Sequence, residues 1–403
     1  MATESDGDIL VAGTGPAGLI AALALSQAGF GVRLVGPPPR IDDRRTTALM
    51  VPALRFLDGL GVGQALESEA TPLDAMRIVD GTSRLIRSPT VTFRAGEIGE
   101  PHFGLNIPNA HLNATLQAAV EAKPDIAWHR TMVTRWLTQS DRVAAVLEDG
   151  DMVGARLAVA ADGRGSGARA AAGIRAHEHK YSQSALVLSF AHTRPHGGTS
   201  TEFHTETGPF TQVPLRGLRS SLVWVVTPAE AEELVALPDA DLSRRIETRM
   251  QSMLGRVTVE PGRQVYPLTS AMPTRFARNR IALVGEAAHL FPPIGAQGLN
   301  LGIRDVRDLV ETARQNFADP GAERALAAYD FRRRPDILAR SGAVNLLNRS
   351  LLSDFLPAQM ARGAGLNALR VLSPLRTFFM REGLQPGSGF RGVLSDLREQ
   401  VRR

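Results

Sequence analysis

Apolar and polar residues in the first 35 positions follow the period of a strand, then a helix, then a second strand. The apolar run DILVA at residues 8–12 predicts a buried strand. Residues 16–29 predict a helix, because Pro16 stands in the first turn and Gly29 just past the end. Residues 31–35 predict the second strand. This beginning is typical of a parallel, doubly wound α/β sheet.

The middle of the chain mixes helical and strand-like patterns. Residues 46–60 and 109–122 predict helices, with short strands expected between 73 and 100. The alternation across residues 184–227 predicts an antiparallel sheet with one face towards water. A helix is expected near 239–254. These patterns indicate two lobes that are interleaved along the chain.

The last third returns to a buried strand and then becomes helical. Residues 280–285 predict a strand, and a long helix is expected from about residue 298. The final 60 or so residues are helical in pattern, with breaks at Pro357, Pro374 and Pro386.

Composition and charge narrow the classes of protein. The 403 residues contain no cysteine, which excludes disulfides and thiolate chemistry. The amino terminus lacks the basic stretch of a signal peptide, and no apolar run approaches a membrane span, so a cytoplasmic location is expected. The net charge of +5 comes almost entirely from arginine, without the aromatic-interleaved basic motif of a nucleic-acid-binding protein. No cluster with metal-ligand spacing is present.

The sequence GTGPAG at residues 13–18 has the form G-x-G-x-x-G between the first strand and the first helix. Gly13 permits the tight turn, Gly15 lets a pyrophosphate approach the backbone, and Gly18 allows close packing of helix on strand. The helix start then offers N–H groups to phosphates. The motif predicts a dinucleotide site, with a purely structural turn as the alternative.

The acidic residue that normally ends the second strand of such a fold is absent. Gly36 stands there, followed by three prolines, where an Asp or Glu would bind the ribose hydroxyls. Asp42 and Asp43 come later, and the proline run is expected to direct them elsewhere. The adenosine end would then be held less tightly, or by backbone groups and Arg40.

Two further motifs follow predicted strands. The first is ADGRGS at residues 161–166, followed by Arg169. The second is GEAAH at residues 285–289, which continues to Gly298-Leu299-Asn300. Together the three motifs resemble those of flavoprotein aromatic hydroxylases, which carry ADG-x-x-S-x-x-R and GDAAH…P…GQG-x-N in the same order.

The resemblance implies a role for each segment. In the family the acidic residue of the GD motif accepts hydrogen bonds from the flavin ribityl chain, and here that position is Glu286, one methylene longer. Asp162 corresponds to a residue between the flavin and the nicotinamide cofactor, and Arg164 and Arg169 help to hold that segment. The helix start at residues 298–300 would face the flavin pyrimidine edge and stabilise negative charge.

Structural alternatives stay open for several of these residues. Asp162 could simply cap a turn, and His289 fits a structural hydrogen bond better than acid–base chemistry. Pro292 and Pro293 either border the reactive edge of the flavin, as the family implies, or only stiffen the loop.

Several segments resemble the ubiquinone-biosynthesis (UbiH-type) branch in particular. They are DRRTTAL at 43–49, FGLNIPN at 103–109, YPL at 266–268 and PIGAQGLNLG at 293–302. Arg45 would lie near the flavin, or is an ordinary surface arginine at a helix start. Asn109 stands where relatives place a residue facing the cofactor.

The resemblance implies candidate site residues and a domain plan. The catalytic candidates are Pro292, Pro293 and Gly295. The cofactor-binding candidates are Gly13, Gly15, Pro16, Ala17, Gly18, Arg45, Asn109, Asp162, Gly285, Glu286, Gly298, Leu299 and Asn300. The expected fold is a Rossmann-like FAD-binding domain (residues 1–75, 101–180 and 267–340) interleaved with an antiparallel-sheet substrate domain (76–100 and 181–266), as in para-hydroxybenzoate hydroxylase, plus C-terminal helices (341–403).

The implied activity is hydroxylation of a polyprenylated phenol in ubiquinone biosynthesis. NAD(P)H would reduce FAD from a transient site, since only one G-x-G-x-x-G is present, and O2 would react through a flavin hydroperoxide. The protein would work in the cytoplasm, at the inner face of a membrane and within a biosynthetic assembly. Residues 341–403, with nine arginines, four acids and apolar patches, form either an interfacial surface or a packed cap.

Two other functions remain open at this point. One is a flavin enzyme acting on another aromatic compound or reducing an isoprenoid. The other is a flavin-poor accessory subunit of a quinone-biosynthesis assembly, which the departures at Gly36 and Glu286 would suit.

Overall fold

The computed structural model describes residues 4–40, 42–82, 87–292, 297–352 and 356–384. Its strands, in chain order, are β1 (Glu4–Ala12), β2 (Val32–Val35), β3 (Thr46–Met50), β4 (Thr71–Pro72), β5 (Ala75–Asp80), β6 (Val91–Arg94), β7 (Gly104–Pro108), β8 (Ile126–His129), β9 (Val133–Thr138), β10 (Val143–Leu147), β11 (Met152–Ala160), β12 (Ala176–His192), β13 (Thr199–His204), β14 (Pro209–Leu215), β15 (Arg219–Val226), β16 (Val257–Val259), β17 (Gln264–Pro273), β18 (Ala277–Arg278) and β19 (Ile281–Leu283). Its α-helices are α1 (Pro16–Gln27), α2 (Val51–Gly59), α3 (Gly63–Glu67), α4 (Asn109–Glu121), α5 (Gly167–Ala171), α6 (Pro228–Ala236), α7 (Asp239–Arg249), α8 (Gln297–Gln315), α9 (Glu323–Leu352), α10 (Leu356–Val371) and α11 (Ser373–Leu384).

The first sheet has a parallel centre in the order β19, β11, β1, β2, β8. Ile9, Leu10 and Val11 of β1 are fully buried, as expected for a strand covered on both faces. Helix α1 is buried from Gly18 to Ser26. The strand–helix–strand unit predicted at the amino terminus is confirmed.

The helix predicted for residues 46–60 is wrong in its first part. Residues Thr46–Met50 form β3, which pairs with β7 in antiparallel register, and the helix begins only at Val51. Pro52 explains the boundary, because proline is tolerated in a first helical turn but not further inside a helix. The pattern of apolar residues alone did not separate the two elements.

The second sheet has the order β16, β12, β15, β14, β13, β5, β6, with β17 also paired to β12. Its pairs are antiparallel as predicted, except that β5 runs parallel to β13. One face packs against α6 and α7 through a core that includes Phe190, Phe210 and Trp224. The predicted α/β fold with a second, sheet-based lobe and C-terminal helices is confirmed, while the exact domain boundaries stay a prediction.

The C-terminal helices return to the second lobe. Met380 of α11 is buried and packs in one cluster with Met76 and Phe93 of the second sheet. Arg376 forms an ion pair with Glu97 at 2.6 Å. Within the described ranges, no helix has the length and apolar character needed to cross a membrane.

Candidate functional site

Three loops meet at the carboxyl ends of β1, β11 and β19. A Cβ atom placed on Gly13 would lie 2.2 Å from the carbonyl oxygen of Ala161, and one placed on Gly285 would lie 2.9 Å from Cβ of Ala17. The three sequence motifs, separated by more than a hundred residues, are therefore in direct contact. Ligands of doubly wound sheets bind at this edge.

The glycines of the first loop have different surroundings. Gly13 has φ +110°, which only glycine adopts readily, and Gly18 sits so close to Gly13 that a Cβ would lie 1.9 Å from its carbonyl oxygen. Gly15 caps α1 with extended dihedral angles, and a Cβ there would meet no atom within 4 Å. Pro16 and Ala17 continue directly into the first turn. The backbone at Gly15 thus faces open space beside a helix start, which suits a pyrophosphate.

Gly36 has a steric reason to replace the usual acid. A Cβ on Gly36 would lie 2.8 Å from Cγ2 of Thr14, whose hydroxyl donates a hydrogen bond to the carbonyl of Pro37. Thr14 therefore occupies the space next to the end of β2. Arg40 is largely exposed and paired with Asp42.

The second motif combines a cap with an unpartnered oxygen. The Asp162 Oδ2 atom accepts a hydrogen bond from the backbone N–H of Ala168 at 3.1 Å, so the carboxylate does cap α5. Its Oδ1 atom is buried and has no partner in the described part of the chain. Arg169 donates to the carbonyl oxygens of Ala287 and Arg164, both at 2.9 Å. Arg169 thereby ties the second motif to the third.

Glu286 lies in a short 3₁₀ turn that opens towards solvent. Its carboxylate makes no hydrogen bond to any residue that the structure describes. The pKa of the nearby Arg45 guanidinium is raised mainly by hydrogen bonds to Asp43, at 2.7 and 2.8 Å, against the opposing effect of burial, and the charge of Glu286 adds a smaller contribution. An exposed acid beside a fixed arginine leaves Glu286 free to accept from a ligand.

Asp43 joins Arg45 to Asn109. Asn109 donates to Asp43 Oδ2 at 3.0 Å and accepts from Thr47 Oγ1 at 2.7 Å. Burial would raise the pKa of Asp43, but the hydrogen bonds from Arg45 and Asn109 outweigh it and lower that pKa. The Arg45 guanidinium also lies 5.8 Å from the Tyr266 ring centroid, so this cluster bridges to the second lobe. Sequence reasoning named Arg45 and Asn109 but not Asp43 as their shared partner.

The start of α8 is attached to β3. Asn300 donates to the carbonyl of Ala48 at 2.8 Å and accepts from the N–H of Met50 at 2.9 Å. Leu299 is half-buried against the main core, and a Cβ on Gly298 would meet no atom within 4 Å. The Asn300 side chain thus holds the backbone, and the open space at Gly298 is where a ligand could approach the helix start.

The predicted catalytic segment is only partly described. Pro292 is buried. Pro293 and Gly295 lie outside the described residues.

A buried charge network supports the third motif and was not predicted. Asp305 accepts from His289 Nε2 at 2.7 Å, from the N–H of Gly285 at 3.0 Å and from Arg333 at 2.8 Å. Although burial opposes the charge, Asp305 and neighbouring groups raise the pKa of Arg333, which also donates to Asp308. These contacts support the structural interpretation of His289. The sequence does contain a signal for this network. Two acids lie one helical turn apart, Asp305 and Asp308, and a run of three arginines ends at Arg334.

The open backbone at Gly15 and the buried, unpartnered Asp162 Oδ1 are the features expected of a flavin dinucleotide site. The chain matches the FAD binding domain family over residues 6–339. It belongs to that family. The match spans most of the chain, and all three motifs lie within it. FAD is therefore its cofactor.

Relatives within this family narrow the assignment. The chain is 35% identical to the ubiquinone hydroxylase UbiL of Rhodospirillum rubrum, over 96% of this chain and 93% of that protein. It is 29% identical to the 3-demethoxyubiquinol 3-hydroxylase of Escherichia coli, over 91% and 95% of the two chains. The prediction of an FAD-dependent monooxygenase related to ubiquinone hydroxylases is confirmed.

Solved structures agree on the fold. The probable FAD-dependent monooxygenase PqsL of Pseudomonas aeruginosa superposes with a TM-score of 0.76 at 22% identity, covering 90% of this chain and all of that chain. The p-nitrophenol 4-monooxygenase PnpA of Pseudomonas putida DLL-E4 gives a TM-score of 0.76 at 21% identity, covering 95% and 97%. At these identities the likeness concerns the architecture alone.

Proposed function

We propose that this protein hydroxylates the aromatic ring of a polyprenylated phenol in ubiquinone biosynthesis, using NAD(P)H and O2. The observation that carries the proposal is the contact between three flavin-type motifs in a chain that aligns almost end to end with UbiL. Bound FAD would supply the redox chemistry, and the protein would position the partners and exclude water.

Named residues would hold the cofactor. The backbone at Gly15 and Ala17 would take the pyrophosphate, and Glu286 would accept from the ribityl hydroxyls. Asp162 Oδ1, buried and unpartnered in the described structure, would accept a hydrogen bond on the cofactor side. The N–H groups at the open start of α8, near Gly298, would stabilise negative charge on the reduced flavin ring.

We also propose that the protein works at the periphery of a membrane, where a polyprenylated substrate is concentrated. Val371, Leu372 and Phe379, near the turn between α10 and α11, are each more than half exposed. Arg370 beside them is exposed. Exposed apolar side chains next to cations suit an interface with anionic lipid. Membership of a biosynthetic assembly stays a prediction.

The test is an activity assay on the purified full chain. The protein is loaded with FAD and given NADPH or NADH, ¹⁸O2 and 2-geranylphenol as the probe. We expect visible flavin absorption and a product that contains one ¹⁸O atom per molecule, detected by mass spectrometry. Omitting the nicotinamide cofactor is the control.

Three other outcomes separate the alternatives. Product formed only from phenols without a prenyl chain would favour a hydroxylase of another aromatic compound. Reduction of the prenyl chain without oxygen incorporation would favour an isoprenoid reductase. Absence of flavin absorption after addition of FAD would favour the flavin-poor subunit.

A further inference from the structure

One face of the second sheet looks towards the cofactor motifs. The other face is covered by α6 and α7. On the first face, Ser221 Oγ lies 3.0 Å from Thr46 Oγ1, and the Tyr266 ring lies beneath the Arg45 guanidinium. Arg45 precedes β3 and Thr46 begins it, and β3 is the strand to which the start of α8 is attached. This face of the second sheet therefore bounds the space between the two lobes.

A partly accessible row of side chains crosses this floor. Residues paired across neighbouring strands point to the same face. The pairings place in one row Val187, Val223, Thr211, Glu202 and Ile78. All five are half-buried.

The adjoining row, two residues along each strand, is buried and inaccessible to a ligand. Ala185, Val225 and His204 are 0%, 0% and 4% exposed. The first row is therefore a shallow strip that a flat ring can cover. It is apolar except for Thr211 and Glu202, and Glu202 is its one charged member.

Glu202 is fixed in place from two sides. Its Oε1 atom accepts from His204 Nε2 at 2.9 Å, and its Oε2 atom accepts from Thr211 Oγ1 at 3.3 Å. The side chain of Glu202 keeps 18% of its surface exposed, against 5% for His204. The carboxylate is thus the accessible end of a held carboxylate–imidazole pair, and each carboxylate oxygen can accept a further hydrogen bond.

We infer that Glu202 is the residue that binds the ring hydroxyl of the phenol, with His204 as the positioning residue behind it. The inference rests on the proposed function, since it assumes a phenol in the space between the lobes. The phenol ring would lie on the valine-lined strip, and its hydroxyl would donate to Glu202, the one charged member of that row. A carboxylate accepts a charge-assisted hydrogen bond from that hydroxyl and can take up its proton as a general base.

The proton balance can be written for this chain. When the ring carbon bonds to the transferred oxygen atom, the O–H bond of the ring hydroxyl breaks, its electron pair moves into the ring, and the proton passes to Glu202. The ring carbon then loses its own proton to water, and the ring oxygen takes a proton back from Glu202. The O–O bond breaks in the same transfer: one oxygen atom of O2 enters the ring and the other leaves as water, with two electrons from NAD(P)H and the proton that the ring carbon lost to solvent. The Glu202–His204 pair ends unchanged.

The decisive experiment compares Glu202→Gln with wild type in the FAD-loaded full chain. We expect the rate of hydroxylation of 2-geranylphenol to fall about 100-fold. Flavin reduction by NAD(P)H and thermal stability should stay unchanged, so the consumed NAD(P)H should yield hydrogen peroxide instead of hydroxylated product. Glu178→Gln, an exposed glutamate on β12 of the same sheet, is the matched control and should behave as wild type.

A binding comparison gives a second readout that a structural role would not change. Wild type should bind 2-geranylphenol about 10-fold more tightly than its methyl ether, which cannot donate a hydrogen bond. Glu202→Gln should bind the two equally, and Thr211→Val should reduce the preference. This comparison applies to the wild type even if a variant fails to fold.

The outcomes are distinguishable. Normal product yield in Glu202→Gln, or equal affinity of wild type for the phenol and the ether, would overturn the role of Glu202 and leave the proposed function standing. A wild type that prefers the phenol, with the preference lost in Glu202→Gln but no phenol oxygenated, would refute the proposed function and keep Glu202 as the hydroxyl-binding residue.

Discussion

The glycines of the loop at residues 13–18 differ in what they are needed for, either the fold or the binding of the cofactor. Gly13 and Gly18 lie against backbone atoms of the loop itself and of the neighbouring loop, so they are needed for the fold. Gly15 faces open space and has dihedral angles that any residue can adopt. The structure therefore assigns these chemically identical residues to different tasks.

Substitution of Gly15 should remove the cofactor and keep the protein folded. In Gly15→Val the branched side chain would fill the space that a pyrophosphate needs, and we expect the Kd for FAD to rise about 100-fold, or roughly 2.7 kcal/mol. The measurement is fluorescence titration with FAD, together with circular dichroism. Gly96→Val, at another open glycine outside the motifs, is the matched control.

A contrasting result is expected at Gly18. Gly18→Ala should lower thermal stability as well as FAD binding, because its Cβ would overlap the carbonyl of Gly13.

Unchanged FAD affinity in Gly15→Val would refute the placement of the pyrophosphate.

Elements are joined at the site by single side chains. Asn300 fastens the start of α8 to β3, Arg169 fastens the second motif to the third, and Asp305 fastens the 3₁₀ turn at Gly285 to Arg333 of α9. Each of these contacts joins an element to another that is distant in the sequence. They keep the helix start and the turn in register with the nucleotide loop.

Removal of the Asn300 amide should loosen α8 from β3. Asn300→Ala leaves the N–H of Met50 and the carbonyl of Ala48 without partners, and we expect a loss of about 2–4 kcal/mol in the free energy of unfolding. Urea denaturation measures it. Asn300→Asp keeps an acceptor for Met50 but places a buried carboxylate oxygen against the carbonyl of Ala48, so it should not restore the lost stability.

The control for this prediction is another asparagine. Asn316→Ala removes one local hydrogen bond just after α8, to the carbonyl of Thr312, and should cost less than Asn300→Ala. Equal stability of Asn300→Ala and wild type would show that β3 does not depend on this contact.

At the scale of the whole molecule, the C-terminal helices have two different sides. Met380 and Arg376 of α11 pack on the second lobe, whereas Leu372 and Phe379 stay exposed. The interpretation of the C-terminal helices as a packed cap therefore fits one side of them. For the other side, a surface that contacts a membrane stays a prediction.

A double substitution tests the exposed side. Leu372→Ser with Phe379→Ser should reduce co-sedimentation with phosphatidylglycerol-containing vesicles about 10-fold, because two apolar side chains no longer enter the lipid interface. Met132→Ser with Leu218→Ser removes exposed apolar surface elsewhere and should leave vesicle binding unchanged. Equal binding by wild type and the first double variant would contradict a membrane role for this surface.

The sequence predicted those parts of the protein that depend on neighbouring residues. The first strand–helix–strand unit, the helix at residues 109–122 and the alternating strands of the second sheet all follow from local periodicity. The resemblance of the three motifs to those of flavoprotein aromatic hydroxylases was sufficient to predict the cofactor and the family. The boundary at Val51 was missed because β3 owes its conformation to hydrogen bonds with β7, more than fifty residues away.

By itself the sequence determined the nucleotide loop, the flavin motifs and, through them, the family, since each motif is a short run of neighbouring residues that can be identified without knowing its partners in the fold. Only the tertiary structure decided that Asp43 links Arg45 to Asn109, that Asp305 and Arg333 support His289, and that Glu202 is the one charged residue in its row on the second sheet. The physical reason is that a polar side chain acquires its role from the groups that fold against it. Those groups come from other strands and helices, and no local pattern records which of them will meet.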